Sequence, residues 1–227
     1  MNEKNLVLVC DFDGTITTKD SNDLLFETLG NAESAQIEAD FIAGRTNNRE
    51  AMKQHFEVMR IGLEEYHKFL DAHLCIDPTF DTFLEQVRSR EIPLYIVSGG
   101  FHQAIERVLG EERLHGVKVL ANNLVGDTRL TTSFATVRPD CDKPFGPCCN
   151  CKRAVMEQIR QTMDDSTIIY VGDGLTDRCA MEGADALFAK DALAAYCETE
   201  GISYIPYADF AEITNYLWDA DTKGVRI

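Results

Sequence analysis

Residues 10–20 read CDFDGTITTKD and follow the apolar run LVLV, so Asp11 and Asp13 stand one residue apart where an apolar strand ends. Other reactive residues also fall at the ends of elements. Ser98, Gly99 and Gly100 follow LYIV, Lys152 opens a helical stretch, and Asp173 and Asp177 lie in GDGLTD after TIIYV. Carboxylate oxygens are hard ligands suited to Mg²⁺, which takes one or two protein carboxylates and a phosphate oxygen. Asp11 and Asp173 are candidates for that role. One aspartate of the pair can attack phosphorus to give an aspartyl-phosphate. The other points the same way along the strand and can protonate the leaving oxygen, then activate water. Ser98, backbone N–H groups around Gly99 and the Lys152 ammonium would hold the phosphoryl oxygens. Each feature has a plainer reading alone: aspartates cap turns, SGG makes a tight turn, and a lysine early in a helix is solvated. Their joint occurrence at element ends favours chemistry.

The elements that must position them are legible in the hydrophobic pattern. Runs at 5–10, 92–100, 117–123, 167–174, 184–189 and 202–206 read as strands, apolar enough for burial on both faces. Helical patterns at 78–90, 101–110, 150–163, 175–182, 191–200 and 208–218 alternate with them. This order predicts an α/β fold, a doubly wound, Rossmann-like parallel sheet, in which ligands bind beyond the carboxyl ends of the strands. Between Thr17 and Cys75 no strand signal occurs, and four short amphipathic helices are expected, with Gly30, Gly44 and Gly62 closing helices. The expected organisation is a core of residues 1–16 and 77–227 with a small helical cap at 17–76. A β-hairpin is expected around VGDT, ahead of a loop rich in cysteine.

Composition narrows the partners. A net charge of −16 argues against nucleic acid and anionic membranes, while a bound divalent cation can still reverse the local field for an anionic substrate. The N-terminus lacks a signal-peptide pattern, and no apolar run spans a bilayer, so a cytoplasmic location is expected. In a reducing compartment the crowded Cys141, Cys148, Cys149 and Cys151 are expected to be free, partly buried thiols rather than disulfides or a zinc site.

Taken together, DFDGT, VSGG, Lys152 and GDGLTD resemble the haloacid dehalogenase superfamily of phosphatases, across the span from Asp11 to Asp177. The resemblance implies Asp11 as nucleophile and Asp13 as general acid/base. It also implies Mg²⁺ held by Asp11, the Asp13 carbonyl and Asp173, phosphate held by Ser98 and Lys152, and Asp177 supporting the metal or Lys152. An aspartate at position 13 favours phosphatases within that superfamily, and the early helical insertion is similar to that of phosphoserine phosphatases. The CDFDGTIT start, the cysteine loop before Lys152 and the tail LFAKDALAAYCETEGISYIPYADFAEI resemble the methionine-salvage phosphatases, which act on 2-hydroxy-3-keto-5-methylthiopentenyl 1-phosphate. The expected partner is therefore a small phosphorylated metabolite, with phosphoserine or another amino-alcohol phosphate as the alternative. A non-catalytic phosphate-binding module is a further alternative, but such a module would have lost an acid or the lysine, and all are present.

Within the insertion, Asp20 and Arg60 sit roughly where phosphoserine phosphatases place an acid and an arginine that read the substrate. Their plainer readings are a helix start and a solvated helix end. Phe56 and Met59 read as core of the insertion, and His102 as structural. An apolar pocket for a methylthio group would draw on Phe56, Met59 or Met52.

Overall fold

The computed structural model describes residues 5–135, 141 and 147–219. Seven strands form one sheet: β1 (Leu6–Cys10), β2 (Leu94–Phe101), β3 (Lys118–Val125), β4 (Thr131–Ser133), β5 (Thr167–Gly172), β6 (Ala186–Ala189) and β7 (Ile205–Pro206). Their order is β4-β3-β2-β1-β5-β6-β7, parallel throughout except for the β3–β4 hairpin. The chain winds outward from β1 to one side and then restarts at β5 on the other. The crevice between the ends of β1 and β5 is thus the switch point where such sheets bind ligands.

Period-two alternation explains why the central strands are apolar throughout. Leu6, Leu8 and Cys10 pack with α5 (Phe80–Ser89), α6 (His102–Leu114) and α9 (Phe210–Trp218). Val7 and Val9 face the other layer, α7 (Lys152–Thr162) and α8 (Asp191–Glu200). Leu8 lies opposite both Leu94 and Ile169, so the ends of β1, β2 and β5 finish nearly level. That register brings Asp11, Ser98 and Asp173 to one edge.

Between β1 and α5 lie α1 (Ser21–Leu29), α2 (Ala32–Ile42), α3 (Asn48–Met59) and α4 (Leu63–His73). Asp20, Asn31 and Asn47 cap the first three through their side-chain oxygens, which fixes where each helix starts. Phe56 is fully buried, with its ring 5.2 Å from that of Phe101 in β2, which seats the insertion on the sheet. A Thr17–Ile76 bridge pairs the segments that leave and re-enter the core, reinforced by Asp77 N–H to Ile16 O at 2.9 Å.

Some expectations are corrected. Residues 175–182 form two 3₁₀ turns, Leu175–Asp177 and Ala180–Gly183, rather than an α-helix. The cause is local: the Asp177 carboxylate turns back onto the N–H groups of Asp173 and Gly174, which tightens the chain to an i+3 bond. Gly62 starts α4 instead of closing α3. Arg60 closes α3 in the left-handed conformation, φ 56°. The strand expected at 202–206 shortens to Ile205–Pro206 at the sheet edge. Much of the cysteine loop lies outside the described residues.

Candidate active site

Asp11 follows β1 directly, and its N–H bonds Val171 O of β5 at 2.9 Å, which holds the chain in the crevice. One carboxylate oxygen accepts from Phe12 N–H at 2.7 Å, and the other from Lys152 Nζ at 2.6 Å. Asp13 accepts from Ser21 N–H at 3.0 Å and from Ser98 Oγ at 3.3 Å. Gly100 N–H in turn donates to Ser98 Oγ at 2.8 Å. Asp173 accepts from Thr15 Oγ1 at 2.6 Å. Asp177 is fully buried and contacts Lys152 on its other side.

Two glycines make room for this packing. A Cβ on Gly14, which has φ +75°, would collide with the Asp173 carboxylate. A Cβ on Gly100 would stand 2.5 Å from Asp13 Oδ2 and 3.3 Å from Asn22 Nδ2.

The electrostatics are those of a buried, over-acidic site. Among the described residues, Asp11, Asp173 and Asp177 present ligand atoms within 4.8 Å of one another. Burial, then the charge of Asp177, pushes Asp11 well above the carboxylate range, and Lys152 only partly offsets this. Asp173 is raised to about 7 by burial and then Asp177. Asp13 is raised to about 7 by burial and then Asp20. Burial works against the charge on Lys152, yet Asp11 and Asp177 hold its pKa above the ordinary value. Three carboxylates against one ammonium leave a deficit that a divalent cation would neutralise. Asp11 and Asp173 offer hard oxygens facing one another, which fits Mg²⁺.

The sequence-derived residues Asp11, Asp13, Ser98, Lys152, Asp173 and Asp177 thus meet in one cluster. Gly99 contributes backbone, with its carbonyl accepting from Asn122 Nδ2 at 2.8 Å. Asp20 caps α1, and its charge reaches Asp13. Arg60 is exposed, and no hydrogen bond ties its side chain to the cluster among the described residues.

Several participants went unread in the sequence. Thr15 closes the first motif without an assigned role, and Ser21, which follows it, carries no signal of its own. Asn150 lies inside the cysteine loop, where Nδ2 bonds Ser98 O at 3.1 Å and Leu120 O at 2.9 Å, tying adjacent positions of β2 and β3 together. Its neighbour Cys149 donates to Asn48 Oδ1 of α3 at 2.9 Å. All eight cysteines are free. Burial pushes Cys149 up to about 12. Burial and then the neighbouring Cys151, Cys179 and Cys141 push Cys148 to about 11.

A model of the haloacid dehalogenase-like hydrolases matches residues 8–182, and the chain belongs to that family. Within it, the protein is a phosphatase. It is 28% identical to the 2-hydroxy-3-keto-5-methylthiopentenyl-1-phosphate phosphatase of Exiguobacterium sp., over 97% of this chain and 98% of that one. It is 30% identical to the enzyme of the same name from Geobacillus kaustophilus, over 94% of this chain and 96% of that one. The Pdp3-interacting factor 1 of Schizosaccharomyces pombe is 30% identical over 93% of this chain and 94% of its own length. A substrate-bound phosphoserine phosphatase structure shares the fold, with a TM-score of 0.71 at 20% identity, covering 95% of this chain and 99% of that one. No helix among the described residues is long and apolar enough to cross a membrane.

Proposed function

We propose that the protein is a Mg²⁺-dependent phosphomonoester hydrolase that works through an aspartyl-phosphate on Asp11. The observation that carries this reading is the Asp11 carboxylate, buried at the sheet switch point between the Lys152 ammonium and Asp173. Asp11, Asp173 and the Asp13 carbonyl would hold Mg²⁺, whose charge would offset the acidic excess of the site and that of a bound phosphoryl group. Asp11 attacks phosphorus as the bond to the leaving alcohol oxygen breaks, and Asp13 delivers the proton to that oxygen. Asp13 then takes a proton from water, which attacks the aspartyl-phosphate and regenerates Asp11 with release of inorganic phosphate. A carboxyl near 7 suits both halves of that exchange. Ser98, the N–H groups around Gly99 and Lys152 hold the phosphoryl oxygens.

The substrate is a small phosphate ester, with 2-hydroxy-3-keto-5-methylthiopentenyl 1-phosphate first. The names of the bacterial relatives support it. So does a polar atom near Asp13: Asn22 Oδ1 is buried without a hydrogen-bond partner and matches a substrate hydroxyl. Phosphoserine needs an arginine facing its carboxylate, and Arg60 is exposed at the end of α3. Residues 17–76 act in this reading as a cap that closes over the ester and excludes water. Met52 and Met59 pack half-buried there, whereas Phe56 is wholly buried and offers the thioether no surface. The test is phosphate release from both compounds, with and without Mg²⁺, by the native protein and by Arg60→Ala. A tenfold preference for phosphoserine that collapses in Arg60→Ala would reverse the ranking. No Mg²⁺-dependent release from any phosphomonoester would refute the reading.

A further inference from the structure

Asp177 raises a problem of allegiance. Its ligand atom lies within 4.8 Å of those of Asp11 and Asp173, close enough to join a cation site, yet it also holds Lys152. The hydrogen bonds resolve it. A carboxylate offers about four lone-pair positions. On Asp177, Oδ2 accepts from Asp173 N–H at 3.1 Å and from Gly174 N–H at 3.0 Å. Oδ1 accepts from Lys152 Nζ, and from the phenol of Tyr170 at 2.6 Å. Four donors fill the carboxylate.

Tyr170 is the donor that nothing else in the site explains. It is wholly buried, on the face of β5 that looks towards α7, and Lys152 Nζ lies 5.9 Å from its ring centroid. The neighbouring strand residue is shaped for it. A Cβ on Gly172 would stand 2.5 Å from Asp177 Oδ2 and 2.8 Å from Tyr170 Cε1, so only a bare backbone lets phenol and carboxylate meet there.

We infer that Tyr170 is a positioning residue that commits Asp177 to Lys152 by occupying the oxygen otherwise open to the cation. Lys152 is thereby held where it can meet the phosphoryl group, and the cation is left to Asp11 and Asp173. This inference rests on the Mg²⁺-phosphatase reading above.

Tyr170→Phe removes only the hydroxyl. Two measurements separate positioning from plain structure. The first is Mn²⁺ binding to the metal-stripped protein without substrate, followed by electron paramagnetic resonance of free Mn²⁺. The second is kcat/KM for the best phosphomonoester, combined with Asp177→Asn in a double-mutant cycle. Tyr170→Phe is expected to bind Mn²⁺ at least threefold more tightly, because Asp177 is released to the cation, while kcat/KM falls about tenfold. In the Asp177→Asn background the further change is expected to be under twofold, since residues acting through one another are non-additive. Weaker or unchanged Mn²⁺ binding would overturn the inference, as would independent, additive losses in kcat/KM. If the native protein binds Mn²⁺ and hydrolyses phosphomonoesters while Tyr170→Phe behaves identically, the inference fails and the functional reading stands. If the native protein does neither, the functional reading fails first.

Discussion

Lys152 Nζ lies 2.6 Å from Asp11 Oδ2 and contacts Asp177 on its other side, so one buried ammonium joins residues from the ends of β1 and β5. The lysine enters from the first residue of α7, at the end of the cysteine loop. The Lys152 ammonium therefore couples three separate segments of chain through its two contacts.

Asp11→Asn is expected to abolish phosphate release, by at least about 10⁴-fold, while circular dichroism shows the fold intact. Asparagine keeps the shape and loses both the nucleophile and a negative charge. Measurable steady-state turnover in this variant, or full activity of the native enzyme in excess chelator, would contradict the assignment.

Lys152→Met is expected to destabilise the metal-free protein by about 3 kcal/mol, because it leaves Asp11 and Asp177 buried without their cation. Added Mg²⁺ should recover part of the loss by binding only the folded state. Thermal melts with and without Mg²⁺ check this. An unchanged melting temperature in the variant would show that the carboxylates are not charged together.

Gly14→Ala should impair the site more than the fold. Alanine is strained at φ +75°, and its methyl group would displace the Asp173 carboxylate. The expected outcome is a loss of Mg²⁺ affinity of tenfold or more with a stability cost of only about 1 kcal/mol. Isothermal titration with Mg²⁺ beside a urea melt separates the two. Native Mg²⁺ affinity in this variant would mean that Asp173 is no ligand.

His55 gives the insertion a dependence on pH. Its ring stacks on Phe26 at 3.8 Å, its side chain is 2% exposed, and burial lowers its pKa to about 4. Between the free value near 6.5 and that lowered value, the unfolded chain takes up a proton that the folded chain refuses. The contribution is therefore complete above pH 6.5 and drains away as pH falls towards 4, opposed by the Glu38 carboxylate 3.7 Å from Nε2, which favours the charged ring. His55→Phe keeps a ring against Phe26 and removes the titration. Urea midpoints at pH 7 and 4.5 should fall less in the variant than in the native protein, and equal falls would refute the assignment.

The thiols give a further check. Cys75 is exposed whereas Cys149 is buried, pushed up to about 12 and bonded to Asn48. Alkylation followed by mass spectrometry should label Cys75 rapidly and Cys149 only on unfolding. Rapid labelling of Cys149 in the native protein would show that the Asn48 contact does not persist.

Much of this arrangement could be read from sequence because its key groups punctuate strong patterns. Asp11, Ser98 and Asp173 each follow a run of buried, mostly apolar strand residues, and although each alone could be a turn or cap, together they mark one edge of the sheet. The helix start at Asp20 followed from its capping side chain. What stayed hidden depends on partners far along the chain. Tyr170 looks like any aromatic in a strand until Asp177 turns back beneath it. Asn150 sits among cysteines that drew attention away from it, and its value comes from carbonyls at positions 98 and 120. The 3₁₀ turn at Leu175–Asp177 answers to a side chain capping its own backbone, which overrides helical periodicity.

The Thr17–Ile76 bridge pins both ends of the helical insertion at one spot on the core. With its ends joined there, lengthening that segment costs the core little, about 0.6 kcal/mol of closure entropy for each doubling. Asp11, Ser98, Lys152 and Asp173 all lie on the core side of the bridge. On the proposed reading the molecule divides like a socket and a fitting: the candidate bond-breaking groups sit in the core, and a change of clientele would fall mainly on what hangs between Thr17 and Ile76.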